Sequence, residues 1–239
     1  MLGIIKREWR AYFCTPVGYV FIAIFWLLGA AFFFLYNVLA ASADLSALFG
    51  NLSYLFMLIS PLLTMRLFSE ERRQKTDLLY ISSPTPLSAV VAGKFVAALG
   101  VLAASLAGTA LYLVILALRV PLHAGAVAAH YLAFMLLGAA TISVGVLMSA
   151  LTENQITAAV LTLAVNMLLQ LAEMASASAA SPYLPFLPQL LSAIALNQRY
   201  AQIAGGVIRP TDVGYFIAFT TAVLLCAGLV LAQRRQRRR

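Results

Sequence analysis

The sequence predicts an all-α integral membrane protein. It has six transmembrane helices, an N-terminal amphipathic helix at the interface, a short cytoplasmic helix, and short re-entrant helices on the outer side. Three observations predict this. Of 239 residues, 63% are hydrophobic and only 10% charged, whereas a soluble domain is about half apolar and about a quarter charged. The apolar residues gather in six runs, each near or above the ~20 residues that a helix needs to cross a bilayer. Lys and Arg fall between these runs in a strongly one-sided pattern.

The elements follow in chain order. Leu2, Ile5, Trp9, Tyr12 and Phe13 recur at helical spacing, with Lys6, Arg7 and Arg10 on the other side. Residues 1–15 are therefore expected to lie as an amphipathic helix in the interface, where Lys6, Arg7, Trp9 and Arg10 meet headgroups, either as a topology anchor or as a mechanical element. Pro16 ends this helix. The spans are expected at Val17–Leu39, Phe49–Phe68, Leu87–Leu118, Val127–Leu151, Ile156–Met174 and Val213–Gln233. The first run is longer than the ~7–15 residues of a signal-peptide core, so it is expected to be retained although Ala41-Ser42-Ala43 resembles a cleavage site. The third is longer than a span requires, and Lys94 near its start is expected to stand outside the hydrocarbon or to snorkel to the interface.

Between residues 176 and 211 the chain carries Pro182, Pro185 and Pro188 and an apolar stretch, Gln189–Leu196, too short to span. A pair of short re-entrant or interfacial helices fits this composition. A basic tail, residues 234–239, closes the chain. Residues 1–239 read as one membrane domain, because no loop is long enough to bury a soluble core.

Six spans put both ends on one side. Thirteen of the sixteen Lys and Arg residues fall on that side; only Arg119, Arg199 and Arg209 fall on the other. The cation-rich side is expected to be cytoplasmic. The net charge of +8 is thus spent on topology and lipid headgroups rather than on nucleic acid. Cys14 and Cys226 have no metal-ligand spacing. His123 and His130 are two helical turns apart with no third ligand near. No catalytic constellation and no metal site is expected.

The loop over residues 69–86 is the densest charged segment away from the ends. Ser69 is expected to cap a short helix with Glu70 and Glu71 in its first turn. Glu71–Lys75 and Arg73–Asp77 are expected to pair at i, i+4. Leu78, Leu79 and Ile81 form an apolar ridge, and Ser82, Ser83, Pro84 and Pro86 end the helix. Such a rigid charged element is either a solvated loop obeying the charge rule or a docking surface.

The run Arg66-x-Phe68-Ser69-Glu70-Glu71-Arg72-Arg73, continuing through Thr76, Leu78-Leu79, Ser82 and Pro84 to Gly93-Lys94-Phe95, resembles the second-loop signature of ABC-2 type transporter permeases. The opening Arg7-Glu8 with Tyr12-Phe13-Cys14-Thr15-Pro16-Val17-Gly18-Tyr19-Val20 is similar to the permease of the gliding-motility-associated ABC system. Asp77 and Tyr80-Ile81 depart from that pattern, which loosens the subfamily assignment but not the superfamily. The resemblance implies a permease of an ATP-driven exporter in the bacterial inner membrane, with both termini cytoplasmic. It implies a separate ABC ATPase that binds ATP and Mg, a second permease (identical or not), and room for an auxiliary membrane or periplasmic subunit. In agreement, the chain lacks Gly-x-x-x-x-Gly-Lys-[Ser/Thr]; its Gly93-Lys94 is followed by Phe95. By resemblance, Glu70, Glu71, Arg72, Arg73, Lys75 and Thr76 lie in or beside a coupling helix that inserts into the ATPase, and Leu2–Tyr12 matches an interfacial helix that also touches it. The alternative is a membrane anchoring protein that recruits a soluble partner without transport. A secondary transporter would need a midplane ion site, broken helices or inverted repeats.

Within the membrane, Thr162, Asn166, Gln170 and Glu173 share one face of the fifth span. Polar groups in hydrocarbon are costly, so this face is expected to meet protein or water, as interhelical glue or as a translocation path. Ser53, Ser60 and Thr64 form a weaker stripe on the second span. Gly100, Ala104 and Gly108, and Thr141, Gly145 and Ser149, are small-residue patterns that permit close packing.

Overall fold

The computed structural model describes residues 2–75, 86–118, 121, 123–178 and 195–237. Among them are α1 (Leu2–Cys14), α2 (Pro16–Phe33), a π-helical extension (Phe34–Leu39), α3 (Ser46–Thr64), α4 (Arg66–Arg73), α5 (Leu87–Ala117), α6 (Ala124–Leu151), α7 (Gln155–Ser178), α8 (Leu196–Ala204) and α9 (Pro210–Arg237), with no strand. Six stretches are long and apolar enough to cross a membrane: Pro16–Leu39, Ser46–Arg73, Leu87–Ala117, Ala124–Leu151, Gln155–Ala175 and Pro210–Gln236. They match the six expected spans, and the chain is an all-α, multi-pass membrane protein.

α6 is the centre. It packs against α3, α4, α5, α7, α8 and α9. Its apolar window is 67% buried within the protein, against 11% for α9. That contrast follows from composition: α6 alternates Gly, Ala, Ser and Thr with larger residues, so neighbouring helices approach closely, while α9 presents Ile217, Leu225 and Leu229 outward to lipid. The aromatic core beside α6 is continuous. Phe25, Phe49 and Phe56 all make ring contacts with Phe134, at centroid distances of 5.8, 6.1 and 5.6 Å.

The small-residue patterns act partly as ring recesses. A Cβ at Gly100 would meet the Trp9 indole, and one at Gly108 would meet the Trp26 indole. Each indole N–H then reaches a carbonyl of α5: Trp9 donates to Ala97 O at 3.1 Å and Trp26 to Ser105 O at 2.8 Å. On α6, Gly145 leaves room for Thr64.

Three expectations are corrected, and one feature is added. Ser69 is not a helix cap. The backbone stays helical through Met65 (φ −55°, ψ −34°), so α4 begins at Arg66 and Ser69 is buried inside it, its hydroxyl donating back to Met65 O. The orphan donors of the first turn of α4 are served in trans instead: Phe68 N–H and Ser69 N–H donate to Ser149 Oγ at 3.0 and 3.3 Å. Glu71 does not pair with Lys75, which lies past the helix end at a left-handed φ of 56°; the i, i+4 ion pair of this helix is Arg66–Glu70, at 3.0 Å. Lys94 does not snorkel to water but is buried. Finally, the first span ends in a π-helical segment, where Asn37 turns inward and its Nδ2 donates to Ser42 O and Asp44 O at 2.9 and 3.0 Å. That bonding satisfies the turn into α3, whose first residue, Ser46, donates its N–H to the Asp44 carboxylate; this bond holds the Asp44 carboxyl below its ordinary range.

Several expected features lie outside the described residues. These are Thr76, Asp77, Leu78, Leu79, Ile81, Ser82, Ser83 and Pro84 of the charged loop, Arg119, residues 179–194 of the outer segment, and Arg238 and Arg239. Within that outer segment α8 is described, held to α9 by an Arg199–Asp212 ion pair at 3.1 Å, with the Arg199 guanidinium 4.1 Å from the Tyr215 ring centroid.

The packing makes a direct prediction. Gly145→Val should lower thermal stability in detergent by about 1–3 kcal/mol, through overpacking against Thr64. Gly228→Ala, where an added Cβ meets nothing within 4 Å, should leave the melting curve unchanged. Equal melts would show that α3 and α6 are not in close register at Gly145.

Candidate functional site

Helices α1 and α4, the start of α5 and the C-terminal ends of α6 and α9 come together at one end of the bundle. Their meeting point is a cluster of four charges. Lys94 is the only charged residue of α5, and Glu8 is the only acidic residue of α1. α1 lies across the start of α5 because Gly93 opens the contact: a Cβ there would be 3.0 Å from Ile4. This places Glu8 over Lys94, with Lys94 Nζ to Glu8 Oε1 at 3.0 Å. α4 supplies the second carboxylate, with Lys94 Nζ to Glu71 Oε1 also at 3.0 Å. Arg7 closes the cluster from the solvent side, at 2.9 Å from Glu8 and 2.7 Å from Glu71. The Phe68 ring lies under the ammonium, 5.2 Å from its centroid.

The Lys94 side chain is 1% exposed. The two carboxylates balance this ammonium and the Arg7 guanidinium, so the four charges sum to zero. Such pairs contribute little net stability, but removing one member strands a buried charge at a cost of about 3–5 kcal/mol. The junction therefore fixes geometry more than it adds stability. It ties the first interfacial helix, the helix after the second span and the third span into one unit.

Two further contacts extend this unit. Tyr12, fully within the protein, donates its hydroxyl to Leu63 O at 2.6 Å; burial pushes the phenol far above its usual pKa, so it remains a donor. Arg66 reaches from α4 to the Thr15 hydroxyl at 2.8 Å. Between α1 and α4 lies an open cavity of about 380 Å³ bounded by Arg7, Glu8, Tyr12, Arg66, Glu70 and Lys94.

Arg72 has a different task. Its guanidinium enters the C-terminus of α6, donating to Thr152 O at 3.1 Å and to Ala150 O. Arg234 of α9 donates to Leu151 O at 2.7 Å. Two cations thus satisfy the final carbonyls of α6 and its negative dipole end. Of the residues implied in coupling, Glu71 and Arg72 are committed within the chain, and Glu70 pairs with Arg66. Arg73 and Lys75 are exposed, and Thr76 lies outside the described residues. Of the interfacial set, Trp9 and Arg7 bind inward, while Lys6 and Arg10 remain exposed. In the sequence Glu8 enters only as part of the Arg7-Glu8 opening and without a role; its signal is a lone acid on an apolar-faced helix, matched by a lone lysine in an apolar span.

The polar stripe of α7 forms a second site. Pro61 lies inside α3 and has no N–H, so the carbonyl of Met57 loses its helical donor. Asn166 Nδ2 supplies it at 3.0 Å and also donates to Ser60 Oγ at 3.1 Å. Gln170 Nε2 donates to Met57 Sδ at 3.1 Å. Thr162 bonds within its own helix, to Ala158 O. Glu173 accepts from Asn197 N–H at 3.2 Å in the first turn of α8. The stripe binds α7 to α3 and α8. His130 is buried beside Phe49, and among the described residues no group of three His, Cys, Asp or Glu could hold a metal.

Six helices long and apolar enough to cross a membrane, tied together at one end by the first helix and α4, make this an all-α integral membrane protein. A family model described as "ABC-2 family transporter protein" matches residues 33–232. The chain belongs to that family, as a transmembrane permease of an ABC transporter, a component that works with an ABC ATPase subunit. The match begins inside the first span, so α1 and Glu8 precede it. No curated protein matches the chain significantly.

The junction predicts a non-additive response. Lys94→Met should cost about 3–5 kcal/mol, because Glu8 and Glu71 then face each other with their buried cation removed. Adding Glu8→Gln and Glu71→Gln should recover most of that loss; thermal unfolding in detergent reads both, and additive losses would contradict the cluster.

The Pro61 contact predicts a second cycle. Asn166→Leu should destabilise by about 1–3 kcal/mol. In a Pro61→Ala background, where the backbone regains a donor for Met57 O, the same change should cost at least about 1 kcal/mol less. An unchanged penalty would mean that Asn166 acts elsewhere, as in a translocation path.

Proposed function

We propose that this permease belongs to an ATP-driven exporter and that a separate ATPase, holding ATP and Mg, drives it through α4. One observation carries the reading: Glu71 of α4 is locked by Lys94 and Glu8 to α5 and α1. A push on α4 therefore moves the second and third spans and the interfacial helix together. Arg72 adds the end of α6 to the same body. Rigid-body rocking of such a unit is a recognised way to convert a local push into an opening between subunits.

The exposed edge of α4 offers Arg73 and Lys75 to the ATPase, while Glu71 and Arg72 transmit. ATP-driven closure biases the permease between two arrangements by its differential contacts with them. The thirteen cations at one end support a cytoplasmic position for both termini, and the membrane is the bacterial inner membrane. A second permease, identical or not, faces this one across the path, and an auxiliary subunit has room at the outer end. The Arg7–Val20 run supports placement with the gliding-motility-associated permeases.

Separating docking from transmission tests this. Arg73→Glu with Lys75→Glu should weaken ATPase association by at least about tenfold, equivalent to about 1.4 kcal/mol. Glu71→Gln should leave association intact while lowering transport per ATP hydrolysed in reconstituted vesicles. Hydrolysis by the partner that is indifferent to the permease and to all three changes would sink the proposal.

A further inference from the structure

Three cations lie on α1, and they are used differently. Arg7 turns to Glu8 and Glu71. Lys6 and Arg10 are exposed, and among the described residues neither makes an ion pair. They are one helical turn apart, an i, i+4 arrangement in which like charges repel and an isolated helix is weakened. Among the described residues nothing acidic pairs with them. A shared anion between the two side chains would remove that repulsion.

The adjacent stripe of the same helix is apolar and ordered. Ile5, Trp9 and Phe13 recur every four residues, and together with Lys6 and Arg10 they line a groove of about 450 Å³. The Trp9 ring is fixed, since its N–H is held by Ala97 O, yet the residue is 42% exposed. Trp9 stacks edge-on against Phe13 at 5.6 Å, and Phe13 against Tyr19 at 5.8 Å. The result is an aromatic ladder running from α1 to the start of the first span. A cation pair beside a row of rings, continuing towards the hydrocarbon, has two chemistries in the order of a phospholipid: charged head, then acyl chain.

We infer that this groove binds one anionic phospholipid, its phosphate held between Lys6 and Arg10 and an acyl chain laid along Ile5, Trp9 and Phe13. An acidic protein surface would match the cations but would leave the aromatic ladder without a partner. A free phosphate ion would likewise leave it unused. The inference rests on the chain's membrane character and on the geometry of α1, and it stands whether or not α4 is driven by an ATPase.

The chain has two tryptophans, so Trp26→Phe leaves Trp9 as the only indole and gives a direct readout. The full-length Trp26→Phe protein is placed in nanodiscs of a zwitterionic lipid. A small equal mole fraction of brominated lipid is then added, either phosphatidylglycerol or phosphatidylcholine. The expected result is roughly tenfold preferential quenching of Trp9 by the anionic headgroup, the order expected for two cations at an anionic surface. Lys6→Gln with Arg10→Gln should abolish the preference while leaving acyl-chain quenching by both lipids. Millimolar inorganic phosphate should not compete. Equal quenching by the two headgroups, a preference that survives the double substitution, or displacement by inorganic phosphate would overturn the inference. So would a double substitution that weakens ATPase association but leaves the lipid preference unchanged.

Discussion

Lys94 is the residue on which the rest of this end of the molecule depends. A single ammonium within a long apolar helix has to be compensated where it stands, because the cost of leaving it bare in a low-dielectric interior exceeds what a small domain can absorb. The compensation comes from two other elements, α1 and α4, each bringing one carboxylate. That requirement fixes how α1 lies across α5, how α4 returns from the second span, and why Arg7 turns to the cluster while Lys6 and Arg10 stay exposed. Gly93 and Gly100 serve the same end by removing the side chains that would hold α1 away.

The same demand for satisfaction governs the backbone. Pro61 strips a donor from one carbonyl of α3, and an amide from α7 replaces it. The start of α4 has orphan N–H groups, and a serine of α6 accepts from two of them. The end of α6 has orphan carbonyls, and arginines of α4 and α9 donate to them. In each case a helix irregularity is paired with a polar side chain on a different helix. Water cannot do this inside a bilayer, so the contacts that repair the backbone are also those that set which helices are neighbours.

This gives the two ends of the bundle different characters. One end is a network of ion pairs and cation–carbonyl contacts that unites α1, α4, α5, α6 and α9. The other is held by aromatic packing, by the Asn37 turn and by the Arg199–Asp212 pair. Under the proposed coupling, a permease pushed at one end benefits from cross-linking at the point of force. The ionic end is cross-linked in this way, and Arg73, Lys75, Lys6 and Arg10 remain exposed on it.

Span number and position, the one-sided charge and the amphipathic first helix could all be read from the sequence. Each depends on a local property: length of an apolar run, count of cations, or helical spacing. The polar stripe of α7 was legible as a face, again from spacing alone. What sequence could not supply was the identity of partners far apart in the chain. Lys94 reads as a lysine that stands outside the hydrocarbon or snorkels to the interface, and Ser69 as a helix cap, because those are common local fates of such residues. Only the tertiary structure, by laying α1 over α5 and continuing α3 through a turn at Met65 into α4, turned one into a buried ion and the other into a core residue. The physical reason is that burial is a property of what lies opposite a side chain. In this protein the groups opposite Lys94 are 86 and 23 residues away along the chain.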